Sequence, residues 1–260
     1  MRTSPGMTMV IDGGLPTGAF TDLITSHGHY IDLVKFGWGT ALVTRDLDRK
    51  VGVLRDAAIG FYFGGTLFEH HLWTGRLDEY LQLVRRTGAT HIEVSNGTIP
   101  LDQRGKAEHV RRMAQYRPVL SEVGYKDADR SARLTPAQWV DAMREDLDAG
   151  AHMVVTEARE SGRSGIARAD GHLRRDVLDA VIDNVDTERV MFEAPTKTLQ
   201  VELINALGPG VNLGNVAAAD VLGAETLRRG LRGDTLLHVA TGVGDMGDSE
   251  RVASSLPSGT

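Results

Sequence analysis

The chain contains no cysteine, which removes disulfides, thiolate metal sites and cysteine nucleophiles from consideration together. Nor is there an excess of positive charge. Lysine and arginine number 29 against 35 acidic residues, a formal net charge of -6, whereas a phosphate-backbone partner requires clustered cations. Nucleic acid is therefore not expected as a ligand. No apolar run approaches the ~20 residues that cross a bilayer, and Met1 to Met9 holds no stretch of signal-peptide character. The expectation is no membrane association and a cytoplasmic location. Histidines are few, and His27, His29, His70 and His71 fall in helix ends and loops without metal-ligand spacing; they read as solvated surface groups.

What is present is a chain of 260 residues, 41% hydrophobic, enough to bury the core of one large α/β domain. Short runs rich in Val, Ile and Phe alternate with longer segments of helical periodicity, the pattern of parallel strands joined by crossover helices. Eight strand candidates follow one another: Thr8 to Asp12, Tyr30 to Phe36, Ile59 to Phe63, His91 to Ser95, Pro118 to Val123, His152 to Glu157, Arg189 to Glu193 and Val211 to Gly214. Arg86-Thr87-Gly88 and Asp148-Ala149-Gly150 read as helix stops, and Thr135-Pro136 as a helix start. The pattern predicts a (β/α)8 TIM barrel, a single domain over residues 1–250 with a flexible Ser-rich tail from Arg251 to Thr260; a doubly wound open sheet is the alternative. Gly242, Gly244 and Gly247 match G-x-G-x-x-G literally, but no helix, strand or acidic ribose ligand fits after them.

Barrel enzymes place their chemistry at the C-terminal ends of the strands, and in this chain those positions are polar. The first strand ends in Asp12, the second carries Lys35, and the third runs into Gly64-Gly65. Later strands contribute Glu93, Glu122, Lys126, Glu157, Arg159, Glu193 and Asn212-Leu213-Gly214-Asn215. Glu93, Glu122, Glu157 and Glu193 offer the oxygen ligands that a hard divalent cation such as Mg2+ prefers, while Lys35, Lys126 and Arg159 suit a small anionic substrate. The competing reading is an ion-pair layer inside the barrel with no chemical role. Ser161-Gly162-Arg163-Ser164-Gly165 and Gly214-Asn215 fit either a phosphate cradle or ordinary tight turns. Arg228-Arg229-Gly230-Leu231-Arg232-Gly233-Asp234 lies away from that rim and reads as an ion-paired structural closure. A homo-oligomer is expected, as is common for barrels.

Seven ordered strings carry a resemblance: Asp32-Leu-Val-Lys-Phe-Gly-Trp-Gly-Thr40, Gly64-Gly-Thr-Leu-Phe-Glu69, Ser121-Glu-Val-Gly124, Glu157-Ala-Arg-Glu-Ser-Gly162, Phe192-Glu-Ala-Pro195, Val211-Asn-Leu-Gly-Asn215 and Leu231-Arg-Gly-Asp-Thr235. From about Thr8 to Thr235 the chain resembles the phosphosulfolactate synthase family of coenzyme M biosynthesis. The resemblance implies a (β/α)8 barrel, a Mg2+ requirement and addition of sulfite to phosphoenolpyruvate. It also implies Lys126 as general acid, Lys35 and Arg159 on the anionic groups, and Glu122 and Glu157 as contacts to the metal or its waters. Asp12, Gly64, Gly65, Ser161, Gly162, Asn212, Gly214 and Asn215 would line the substrate. Three positions depart from the family pattern: Gly13 for Lys, Asn96 for Asp and Tyr125 for Lys. Those changes remove two cations and one carboxylate, so a diverged relative using another nucleophile or a larger enol-type acceptor is a second expectation. A non-catalytic stress-associated protein is a third.

Overall fold

A computed structural model describes residues 6–240. The glycine triplet at 242–247 and the tail from Arg251 lie outside them. In chain order the elements are β1 (Thr8–Asp12), α1 (Thr17–His27), β2 (Leu33–Phe36), α2 (Leu47–Asp56), β3 (Gly60–Phe63), α3 (Gly65–Trp73), α4 (Leu77–Thr87), β4 (Ile92–Val94), α5 (Gln103–Ala114), β5 (Val119–Val123), α6 (Ala128–Ala132), α7 (Pro136–Asp148), β6 (Met153–Thr156), α8 (Arg175–Asn184), β7 (Val190–Glu193), α9 (Lys197–Leu207), β8 (Leu213–Ala217), α10 (Val221–Arg228) and α11 (Leu236–Ala240). The eight strands are parallel, in the order β3-β2-β1-β8-β7-β6-β5-β4. Pairing of β1 with β8 curls the sheet, and the seam between β3 and β4 is bridged at Thr90. Its N–H donates to the Phe61 carbonyl (2.9 Å) and its Oγ1 accepts from the Phe61 N–H (2.8 Å). This is a nearly closed (β/α)8 barrel and not an open doubly wound sheet. No described helix is long and apolar enough to cross a membrane.

Local signals act as the sequence indicates. Thr135 caps α7 in a reciprocal box with Gln138, with Pro136 at the first helical position. Gly88 and Gly150 follow α4 and α7 with φ of 73° and 105°, backbone that a side chain would strain. Two strand ends differ from expectation. Residues Gly28–Tyr30 form a short 3-10 turn, so the second strand begins at Leu33 rather than Tyr30. The last strand is shifted forward to Leu213–Ala217, which leaves Asn212 before it. His71 is also not solvated: it is buried, with Nδ1 2.9 Å from the Leu67 carbonyl and its ring against Tyr80.

Strand alternation divides the side chains into two shells. Outward-facing Val34, Phe36, Phe61, Phe63, Ile92 and Val94 pack against the helices on one half, and Val154, Val190, Phe192 and Val216 do so on the other. Inward-facing Met9, Leu33, Tyr62, Leu120, Met153, Val155 and Met191 fill the barrel itself. Gly214 belongs to this floor, since a Cβ there would touch Met191 and Met9 at 3.1 and 3.2 Å.

The closure at the opposite end from the rim is made by Arg228. Its side chain is buried, and it donates to the carbonyls of Pro209 (2.5 Å), Val211 (2.7 Å) and Met7 (2.9 Å). The expected closure is seen in this stretch: Arg229 pairs with Glu225 (2.7 Å), Arg232 and Lys197 with Asp234 (3.9 and 2.8 Å), and Arg228 adds its bonds to backbone carbonyls. Charge-assisted bonds of this kind contribute ~1.5–3 kcal/mol each when deletion strands the partner. Arg228→Met is therefore expected to lower unfolding free energy by about 3 kcal/mol or more, measured by urea titration, with ligand affinity of the folded fraction unchanged.

Candidate active site

The alternation that fills the floor also builds the layer above it. Two residues beyond Leu33, Leu120 and Met191, the inward positions of β2, β5 and β7 are Lys35, Glu122 and Glu193; β4 adds Glu93, and Glu157, two residues beyond Val155, follows the end of β6. All are buried, at the bottom of a cavity of about 1160 Å³ that opens at the C-terminal ends of the strands. Lys35 Nζ sits among three carboxylates, 3.0 Å from Glu193, 3.2 Å from Glu93 and 3.7 Å from Glu122. Lys126, one turn beyond β5, lies 2.7 Å from Glu122 and 3.1 Å from Glu157. Its side chain is 23% exposed against 7% for Lys35, so Lys126 is the ammonium that faces an incoming molecule.

Surrounding groups fix this arrangement. Glu193 Oε2 accepts from the Ala158 N–H (2.9 Å), Glu157 Oε1 from the Arg159 N–H (2.6 Å) and Glu93 Oε1 from the Gly65 N–H (2.6 Å). Glu69 on α3 is buried and accepts the N–H groups of Gly97, Thr98 and Ile99 at 3.1, 2.8 and 2.9 Å, pinning the loop after β4. Ser95 Oγ joins it to the cluster, 2.5 Å from Glu69 and 2.9 Å from Glu122. On the outer side of β5, Lys106 holds the Glu122 carbonyl (2.9 Å) and pairs with buried Asp146 (2.7 Å).

Four carboxylates against two ammonium groups leave the layer over-acidic, and the titration behaviour reflects this. Burial pushes Glu93 up to about 7 despite the pull of Lys35, and burial with the charges of Glu122 and Glu193 pushes Glu157 up to about 8. Glu193 is raised by burial as well. Burial alone would also raise Glu122, but Lys126 and Lys35 hold it below the usual carboxylate range. For Lys126 and Lys35 burial acts downward, and the facing carboxylates overcome it and raise both.

The metal expectation meets this geometry. Among the described residues no three acidic or histidine side chains converge on one point as ligands, because Lys35 occupies the space between Glu93, Glu122 and Glu193. The donor chemistry nevertheless suits a hydrated hard cation, which needs one or two carboxylates and keeps its waters. Asn215 Oδ1 is buried on the cavity side without a hydrogen-bond partner among the described residues, whereas Glu93 Oε2 has the Lys35 ammonium 3.2 Å away. With Glu157 and Glu193 they form an oxygen-lined wall whose carboxylates are shared between two ammonium groups.

Most of the other expected residues reach the cavity, and some do not. Gly64, Gly65, Ser161, Asn215 and Arg159 line it. Arg159, with φ of 52°, is directed across the loop: its guanidinium donates to the Lys126 carbonyl (3.0 Å) and lies 3.8 Å from Glu160. Asp12 is spent on structure, accepting from Lys50 (2.5 Å) and from the N–H groups of Gly14 and Leu15. Asn212 is corrected to the opposite end of the barrel, where it bonds the Met7 N–H and the carbonyls of Glu188 and Val190. Gly214 lies in the floor, and Gly162 packs toward Thr196 and Leu199. The glycine loop after β6 is a compressed turn, since a Cβ on Gly165 would fall 1.7 Å from the Glu157 carbonyl oxygen.

The three departures also have places. Trp38 lies across Gly13, where a Cβ would come 2.2 Å from its ring, and Trp38 lines the cavity. Asn96 donates to the Leu101 carbonyl (2.9 Å) and shapes the loop. Tyr125 lies beneath Arg130, a cavity residue that sequence reasoning missed, as it missed the bracing roles of Glu69 and Ser95; Arg163, named there only within a glycine loop, also lines the cavity. Glu69 stood inside a recognised string; Arg130 carried no signal beyond its charge.

Comparison with known sequences agrees on one family. The family model of (2R)-phospho-3-sulfolactate synthase (ComA) matches residues 2–234. A phosphosulfolactate synthase of Bacillus subtilis strain 168 is 44% identical over 231 residues, 88% of this chain and 92% of that protein. One from Methanothermobacter thermautotrophicus is 42% identical, covering 89% of this chain and 91% of its own length. Among solved structures, 3-hexulose-6-phosphate synthase from Salmonella typhimurium aligns with a TM-score of 0.54 over 89% of this chain and 99% of that chain, at 15% identity, a likeness of fold.

The raised carboxylates give a pH dependence of definite sign. Native Glu157 binds its proton up to about 8 and the unfolded residue only to its ordinary value of 4.5, so the native state carries more protons between those pH values. The stabilising effect is complete below the lower value and lost as pH rises through the upper one. In chelator, stability against urea is expected to decline from pH 5 to pH 8, and Glu157→Gln to flatten that decline; a steeper decline in the variant would contradict the assignment.

Proposed function

The chain belongs to the (2R)-phospho-3-sulfolactate synthase family, and from that premise we propose that it joins sulfite to phosphoenolpyruvate with Lys126 as proton donor and Mg2+ as the required cation. One observation carries the reading: the partly exposed Lys126 ammonium faces the cavity, fixed between Glu122 and Glu157 at 2.7 and 3.1 Å. The sulfur lone pair of sulfite forms the C–S bond at the methylene carbon of the enol phosphate. The alkene pair moves toward the carboxylate, giving an aci-carboxylate with negative charge beside the phosphate-bearing carbon. Lys126 then transfers a proton from Nζ to that carbon, and the phosphate ester remains in place. The upward shift of Lys126, which the facing carboxylates cause, favours its protonated form and suits a proton donor.

An ammonium that holds its proton firmly is a weak acid, but the carbon it must protonate is far more basic. Glu122 serves Lys126 by position, accepting one N–H and aiming the others toward the cavity. Lys35 neutralises the carboxylates beneath the reacting carbon, so an anionic substrate is not met by bare Glu93 and Glu193. Glu157, Glu193 and Glu93, with Asn215, would hold the Mg2+ directly or through water. When bound, the ion would supply the positive charge that an aci-carboxylate requires and that this over-acidic layer lacks.

Incubation of the protein with phosphoenolpyruvate, sulfite and Mg2+ should yield phosphosulfolactate by mass spectrometry, and absence of product at high enzyme concentration sinks this reading. Lys126→Ala should lower turnover by about a hundredfold or more, the usual scale for a general acid. Mg2+ in chelator-treated protein should raise the thermal midpoint, more at pH 8 than at pH 5, because the raised carboxylates must lose their protons to meet the ion. An equal shift at both pH values would remove Glu157 and Glu93 from the metal site.

A further inference from the structure

Five cationic side chains line the cavity: Lys35, Lys126, Arg130, Arg159 and Arg163. Three are already committed. Lys35 is shared by three carboxylates and Lys126 by two, while Arg159 is divided between the Lys126 carbonyl and Glu160. Among the described residues, neither Arg130 nor Arg163 has an ion-pair partner. The carboxylates on the same wall are engaged as well: Asp127 accepts the Arg130 backbone N–H at the start of α6 (2.7 Å), and Glu160 faces Arg159.

Of the two uncommitted arginines, Arg130 is held in place. Its guanidinium lies over the ring of Tyr125, 3.5 Å from the ring centroid. Stacking immobilises the planar group through its face and leaves its edge N–H donors free, so the conformational cost of presenting them is met before any ligand arrives. Tyr125 is the residue next to Lys126. The stacked cation therefore rides on the same short loop as the proton donor, and Arg163 enters the cavity from the adjacent loop after β6.

We propose that Arg130, carried on Tyr125 and joined by Arg163, is the seat of the phosphate group of a phosphorylated substrate, on the outer wall of the cavity that Lys126 serves. The assignment rests on the reading of that cavity as the substrate site. A guanidinium edge matches two phosphate oxygens at once, which a lysine does not. It also resolves an electrostatic conflict: a dianion is repelled by the acidic inner layer, and an outer pair of unpaired arginines gives it a resting place while the reacting end of the molecule points inward to Lys126.

Calorimetric titration of the full-length protein with inorganic phosphate, phosphoenolpyruvate and sulfite separately tests this, with circular dichroism to confirm that each variant is folded. Phosphate and phosphoenolpyruvate should bind the wild type, and Arg130→Gln should weaken both about tenfold or more, while sulfite binding changes little. Tyr125→Phe, which keeps the ring, should bind like the wild type, and Tyr125→Leu should lose affinity severalfold. Wild-type binding by Arg130→Gln overturns the proposal, as does equal damage from the two Tyr125 variants or the absence of any phosphate binding by the wild type. Binding through Arg130 without formation of phosphosulfolactate would leave this seat standing and remove only the reaction.

Discussion

The ammonium of Lys35, surrounded by Glu93, Glu122 and Glu193, is the interaction on which the interior of this barrel depends. Without it three carboxylates from three strands would face one another above an apolar floor, and the desolvation of each costs several kcal/mol. With it they share one ammonium, while Lys126 is shared by Glu122 and the remaining acid, Glu157. The layer is still expensive: a hydrophobic filling of the same volume would be more stabilising, as replacement of buried ion pairs often is. Its value lies in chemistry, since it keeps one cation inaccessible and turns the other toward solvent.

Charge is sorted by depth. The inner layer is over-acidic and oxygen-rich, the outer wall carries arginines, and Lys126 stands at the boundary. Burial first, and then the charges of neighbouring carboxylates, push Glu93 and Glu157 upward. A cation and an anionic substrate together suit this profile better than either alone. A net charge of -6 over the whole chain does not describe the cavity, whose lining includes Arg130, Arg159 and Arg163.

The barrel itself was legible because period-two alternation and glycine stops leave a mark in sequence. All eight strand candidates coincide with observed strands, and the errors at Tyr30 and Val211 arose where a 3-10 turn and a preceding extended segment mimic strand composition. The inward carboxylates and Lys35 were legible for the same reason, since strand-end polarity against an apolar pattern has few structural explanations. Roles within the loops were not. Asp12 and Asn212 look like rim residues in sequence, yet backbone groups close by claim their side chains. Arg130 was invisible because its place over Tyr125 at the cavity wall arises from a loop conformation that no local pattern records. The family strings named the right loops without saying which members face the cavity.

The clasp formed by Arg228 has a consequence for how the chain is made. Its acceptors include the carbonyl of Met7, and β8 pairs with β1, so the first strand acquires one of its two neighbours only when the last has left the ribosome. During synthesis β1 can pair with β2 on one side while its other edge stays open for most of the chain's length. An unpaired strand edge is a template for association with other chains. The half-made protein is therefore at greater risk than the finished one, and its passage through the cell depends on how long that edge must wait.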